Sequence, residues 1–76
     1  MSMTFTVILR PEPEGGFTVR VVELSEIVTY GQDEAEALAM AEDAIKLVIE
    51  SRTERGEPLP QSGQPLVRHV TVPVAA

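Results

Sequence analysis

The sequence predicts an α+β fold of order β-β-β-α-β: a four-stranded mixed sheet in spatial order 3-2-1-4 with one long helix on one face. Three observations predict it. Short stretches near the amino terminus alternate apolar and polar residues with a period of two, around a Pro/Gly break. The stretch Asp33 to Arg55 carries apolar residues at helical spacing between an acidic cap and a glycine. A last stretch, Leu66 to Val74, alternates again after a proline-rich loop.

Met3 to Arg10 is the first expected strand, with Met3, Phe5, Val7 and Leu9 on its core side. Pro11-Glu12-Pro13-Glu14-Gly15-Gly16 then turns the chain, the glycine pair supplying the positive φ of a hairpin connection. Phe17 to Leu24 returns, with Phe17, Val19 and Val21 facing the core. Ser25-Glu26 forms a corner, and Ile27 to Tyr30 is a brief third strand ended by Gly31. These three form an antiparallel meander.

The helix is the most strongly written element. Asp33 caps its first amides, Glu36 stands in the capping-box position, and Asp33, Glu34 and Glu36 suit the positive end of the helix dipole. Arg52 and Arg55 suit the other end, and Gly56 is placed to terminate it. Leu38, Ala41, Ala44, Ile45 and Val48 share a face toward the sheet, and alanines 37, 41 and 44 permit close packing. Met40 and Leu47 lie off that face. They are either the margin of a wide core stripe or a second apolar strip used in association.

Glu57 to Pro65 reads as a loop, and Leu66 to Val74 as the last strand, with Val70, Val72 and Val74 on one side and Val67, His69 and Thr71 on the other. Pro73 confines that end to an edge or a terminus. A right-handed crossover from the helix places this strand beside the first and parallel to it. The sheet face away from the helix carries Ile8, Val22, Val28 and Val67, and a homodimer or higher oligomer covering part of it is expected.

Composition excludes several function classes. The net charge of −6 disfavours direct nucleic-acid binding, which draws its affinity from Lys and Arg neutralising phosphates. It suits a basic protein partner instead. Three aromatic residues are too few for a base-stacking platform. There is no cysteine to form a disulfide or a thiolate metal site, and MSMTFTVILR is unlike a signal peptide; a cytoplasmic location is the expectation. Ala35 to Ile49 is broken by charges and does not span a membrane.

No catalytic residue, metal ligand or cofactor site is expected. His69, the single histidine, lacks the orienting carboxylate and nucleophile that catalysis needs and reads as an exposed strand residue. Glu42-Asp43 reads as a solvated helix face. Gly15-Gly16 precedes a strand, so it does not form a phosphate-binding loop at a helix start.

The order of these pieces resembles the HicB-like family. The similarity lies in Gly16-Phe17-Thr18-Val19-Arg20-Val21-Val22-Glu23-Leu24, in Val28-Thr29-Tyr30-Gly31-Gln32-Asp33-Glu34-Ala35-Glu36-Ala37, and in Ala41-Glu42-Asp43-Ala44-Ile45 with Gly56-Glu57-Pro58-Leu59-Pro60 after it. The resemblance covers about residues 4–74. It implies a partly degraded ribonuclease-H-like fold without catalytic carboxylates, residues 1–76 forming one such domain. It also implies an antitoxin that occludes a small basic RNA-cleaving toxin of the HicA type. The alternative is a stand-alone oligomeric relative with a binding or regulatory role and no toxin. Where the family carries a Pro-Asp-Leu-Pro-Gly-Cys-like turn after the second strand, this chain has Val22-Glu23-Leu24-Ser25-Glu26-Ile27. The sequence ends at Ala76, so the family's DNA-binding segment and autorepression are not expected of this polypeptide. Glu23 and Glu26 in the variant loop, with Met40 and Leu47 on the helix flank, are the candidate partner-binding residues.

Overall fold

The computed structural model describes residues 2–61 and 65–75. Strands β1 (Val7–Pro11), β2 (Phe17–Val21) and β3 (Leu24–Gly31) form an antiparallel sheet in that order, and helix α1 (Glu34–Glu54) follows. The α+β class, the meander and the single helix agree with the sequence reading. In the first hairpin Val7 stands opposite Val21 and Pro11 opposite Phe17. Pro11 is tolerated inside β1 because β1 is an edge strand. Gly15 and Gly16 adopt φ of 103° and 78°, as the turn requires.

The second connection differs from the expectation of a corner at Ser25-Glu26. The chain turns at Val22-Glu23, and Leu24 already belongs to β3. A long-range bond sets this boundary: the Val22 amide donates to the Thr6 carbonyl at 2.9 Å. An irregularity in register at Arg20/Val21 then breaks the alternation along β3. It lets both Leu24 and Ile27, three positions apart, turn inward.

Helix α1 ends as its sequence dictates. Asp33 accepts a hydrogen bond from the Glu36 amide at 2.8 Å, and the Glu36 carboxylate reaches back to the Gln32 amide at 2.7 Å. At the far end the Gly56 amide donates to the Thr53 carbonyl and the Glu57 amide to that of Arg52, a Schellman arrangement. The core lies between helix and sheet. Val19 packs with Ala37 and Ala41, while Val21, Leu24 and Ile27 pack with Phe5, Val7, Ala44, Ile45 and Val48. Leu38, expected on the core face, is half exposed, and Ala37 takes its place. At about 100° per residue, Leu38 is turned toward the β1 side of the sheet.

The four-stranded order 3-2-1-4 is not what the structure holds. Among the described residues the sheet has three strands and ends at β1. Residues 65–75 form no strand and are exposed throughout, so the expected last strand, Leu66 to Val74, is corrected to a segment outside the sheet of the described residues. The middle of the expected loop, residues 62–64, lies outside the described residues. Alternation is a property of the segment alone, but a strand also needs a neighbour to complete its hydrogen bonds.

Candidate partner-binding surfaces

Helix α1 carries a second stripe on its outer flank. Glu36, Met40, Asp43, Leu47, Glu50 and Glu54 recur at intervals of three and four, so acidic and apolar side chains alternate along one line of the helix. Met40 is 40% exposed and Leu47 66% exposed, and neither joins a core cluster. Both side chains are thus accessible on the flank of α1. These two apolar side chains stand between carboxylates along that flank.

Glu23 and Glu26 sit elsewhere, Glu23 in the β2–β3 turn and Glu26 near the start of β3. The Glu23 carboxylate accepts from the Thr6 amide at 2.7 Å and from the Thr6 hydroxyl at 2.9 Å, fastening the segment before β1 to the turn. Glu26 pairs with Arg52 of α1 at 2.8 Å. Both carboxylates thus have intramolecular partners, and the four candidate residues divide between the α1 flank and the start of β3 with the turn before it.

Two further surfaces complete the inventory. The sheet face away from α1 exposes Ile8, Val22, Val28 and Tyr30 with Arg10 and Arg20, as expected, although Val67 does not reach it. On the β1 side, an open groove of about 710 Å³ runs between the segment leading into β1 and the helix, lined by Met3, Phe5, Ile45, Ile49 and Leu59. It exists because α1 lies mainly over β3 and touches β1 least. No group of three or more His, Asp or Glu residues among the described residues is arranged to hold a metal ion. No helix of the described chain is long and apolar enough to cross a membrane.

Curated proteins supply the comparison. Antitoxin HicB of Escherichia coli is 38% identical over 58 residues, covering 76% of this chain and 42% of its own length. Antitoxin HicB 1 of Photorhabdus laumondii is 35% identical over 74 residues, covering 97% of this chain and 48% of its own length. The chain is HicB-like. The resemblance read from the sequence is therefore borne out, and the chain spans about half the length of the curated relatives it matches. No family model matches it, and no solved structure does.

In this HicB-like chain the variant loop has a structural task that sequence reasoning missed. An acid in a turn signals solubility; the Thr6 partner, seventeen positions away, leaves no local trace. The groove was missed for the same reason, being assembled from three distant segments. Partial burial works to raise the Glu23 pKa, but the bonds from Thr6 and from its own amide outweigh this and hold the carboxyl below its ordinary value. A carboxyl held below its unfolded value stabilises the fold fully above that value and loses the contribution as pH falls through the folded one. Thermal unfolding followed from pH 6 down to pH 3 should therefore show stability declining on the acid side. Glu23→Gln should flatten that decline, and an unchanged acid slope would contradict the role given to Glu23.

Proposed function

We propose that this chain is the partner-binding part of a HicB-type antitoxin. It neutralises a small basic RNA-cleaving toxin of the HicA type by covering it, and performs no catalysis itself. The similarity to proteins named Antitoxin HicB, extending over 97% of this chain in one case, carries the reading. The net charge of −6 and the alternating stripe on α1 support it physically. The interaction takes place in the cytoplasm, and Met40 and Leu47 are the apolar anchors. Glu36, Asp43 and Glu50 steer and orient the basic partner, and Glu23 and Glu26 act from the side, mainly by holding structure: Glu23 fastens the β2–β3 turn to Thr6, and Glu26 ties β3 to Arg52 of α1. Residues 1–76 act as one domain in this reading.

The test is co-expression with a small basic toxin of the HicA type, sought first among reading frames adjacent to the one that encodes this chain. Wild-type chain should relieve the growth arrest and co-purify with the toxin. Replacing both Met40 and Leu47 by Asp should weaken the complex by about a hundred-fold or more, since buried interface anchors contribute on the order of 2 kcal/mol each. Circular dichroism should show the helix intact, because both side chains are already exposed. Failure of the wild-type chain to bind or rescue would remove the reading. The exposed apolar sheet face favours a second reading, an oligomeric HicB-like domain acting without a toxin, which that failure would leave standing.

A further inference from the structure

The sheet face away from α1 is basic in a protein whose net charge is −6. Strand pairing builds it in two rows. Ile8 of β1, Arg20 of β2 and Val28 of β3 stand side by side, and Arg10, Thr18 and Tyr30 form the next row. Val22 borders Ile8 and Arg20 at a shallow recess of about 250 Å³. Arg10 and Arg20 are thus diagonal neighbours across the β1–β2 pair, which places their backbones about 7–8 Å apart.

Both arginines are exposed, and among the described residues neither stands in an ion pair. Lys46, Arg52 and Arg55 by contrast pair with Glu42, Glu26 and Glu57. Glu12 borders the same recess as the two arginines, but its carboxylate accepts from the Thr18 hydroxyl at 3.1 Å. Two like charges set together without a counter-charge disfavour each other, and two guanidinium forks are suited to carboxylates from outside.

We propose that this face binds an acidic amphipathic helix of another protein, laid along the strands. Its carboxylates meet Arg10 and Arg20, and its apolar side chains cover Ile8, Val22 and Val28.

Three observations select that occupant. The first is width: the outer strands of a three-stranded sheet lie about 10 Å apart, the breadth of one helix. The second is spacing: side chains four residues apart on a helix stand about 5–6 Å from one another, so one such acidic pair reaches both diagonal arginines. The third is charge. A nucleic acid would meet the same arginines, but two cations in a chain of net charge −6 neutralise few phosphates. Two copies meeting through this face about a two-fold axis would have to stagger their arginines, whereas an acidic helix meets both directly. Glu12, at the hairpin end, directs the carboxylates of the helix away from that end.

The proposal stands apart from the toxin reading, whose partner is basic and is placed on α1, on the other side of the sheet. Its test titrates a synthetic helical peptide of leucine and glutamate, with glutamates four residues apart, into isotope-labelled full chain. Shifts in the Arg10 and Arg20 guanidinium signals and in the Ile8, Val22 and Val28 methyls are expected, and added salt should weaken the binding. Arg10→Glu with Arg20→Glu should raise the dissociation constant at least about ten-fold, because the variant sets like charges against each other. Leu47→Asp, on the helix flank, should leave the constant unchanged. Both arginines are exposed, so circular dichroism should show the double variant folded. Absence of shifts on this face, or equal binding by the double variant, would overturn the proposal. Shifts produced by oligouridine and not by the peptide would assign the face to RNA and overturn it as well. Shifts that follow chain concentration without peptide would assign the face to a second copy, with the same consequence.

Discussion

Replacing Gly31 with alanine is expected to lower the melting temperature by about 12–24 °C. A Cβ built on Gly31 would lie 2.4 Å from both the Cα and the amide nitrogen of Ala37, and 2.8 Å from its Cβ. Two of these atoms are backbone in the first turns of α1, so no side-chain rotation relieves the collision. The helix must lift off β3 or the strand must bend, and Ala37 and Val19, both fully buried, lose their packing in either case. Overpacking commonly costs about 1–3 kcal/mol, and a backbone obstacle places this case at or above the upper end. A protein of this length holds only about 4–11 kcal/mol in total. Adding Ala37→Gly should recover little, because it removes only the Cβ contact and leaves the two backbone contacts. Thermal unfolding by circular dichroism measures both variants. A Gly31→Ala protein within about 0.5 kcal/mol of wild type would show that α1 does not sit this close to the sheet.

Leu24→Ala is expected to be the most damaging truncation, lowering stability by about 2–5 kcal/mol. Leu24 is 0% exposed and is the largest fully buried side chain. It packs in the cluster that joins β2 and β3 to α1 and to Phe5 ahead of β1, so its removal opens a cavity bounded by several elements at once. Those elements are tied down by strand pairing and by helix packing, and they cannot collapse fully into the space. Val28→Ala, on the same strand but 53% exposed, should stay within about 0.5 kcal/mol. Urea unfolding of the pair provides the comparison. Equal effects at the two positions would contradict the inward turn of Leu24.

Local chemistry explains how much of this was legible. The ends of α1 are written in neighbouring residues: Asp33 and Glu36 at the start, Gly56 after the last turn. Helical spacing located the body of α1 because that signal is contained within it. The turn of the first hairpin was equally plain, since Gly15 and Gly16 act on their own backbone, although β1 begins at Val7 and not at Met3 and runs to Pro11. The β2–β3 boundary was not, because Thr6 holds Val22 and Glu23 from another part of the chain. Nor could spacing alone show that Leu38 would be displaced by Ala37, which depends on how far α1 sits toward β3. The segment at residues 65–75 has strand chemistry but joins no sheet among the described residues, and pairing is not a property of one segment.

The candidate surface divides in the same way. Met40 and Leu47 were visible as apolar residues off the helix face that meets the sheet, and their exposure gives that placement a physical meaning. Glu23 and Glu26 were visible as acids, but their hydrogen bonds to Thr6 and Arg52 were not. The acidic stripe shares its spacing with Met40 and Leu47, so the two features form one surface on α1.

The central claim is that this HicB-like chain silences a basic ribonuclease by covering it, and the most direct measurement is an RNA-cleavage titration. A purified basic toxin of the HicA type is held at fixed concentration while folded full chain is added. The account predicts that cleavage falls to background at a defined stoichiometric ratio, and that the Met40→Asp, Leu47→Asp double variant requires far more chain to reach the same inhibition. Cleavage that continues unchanged in excess wild-type chain would contradict it.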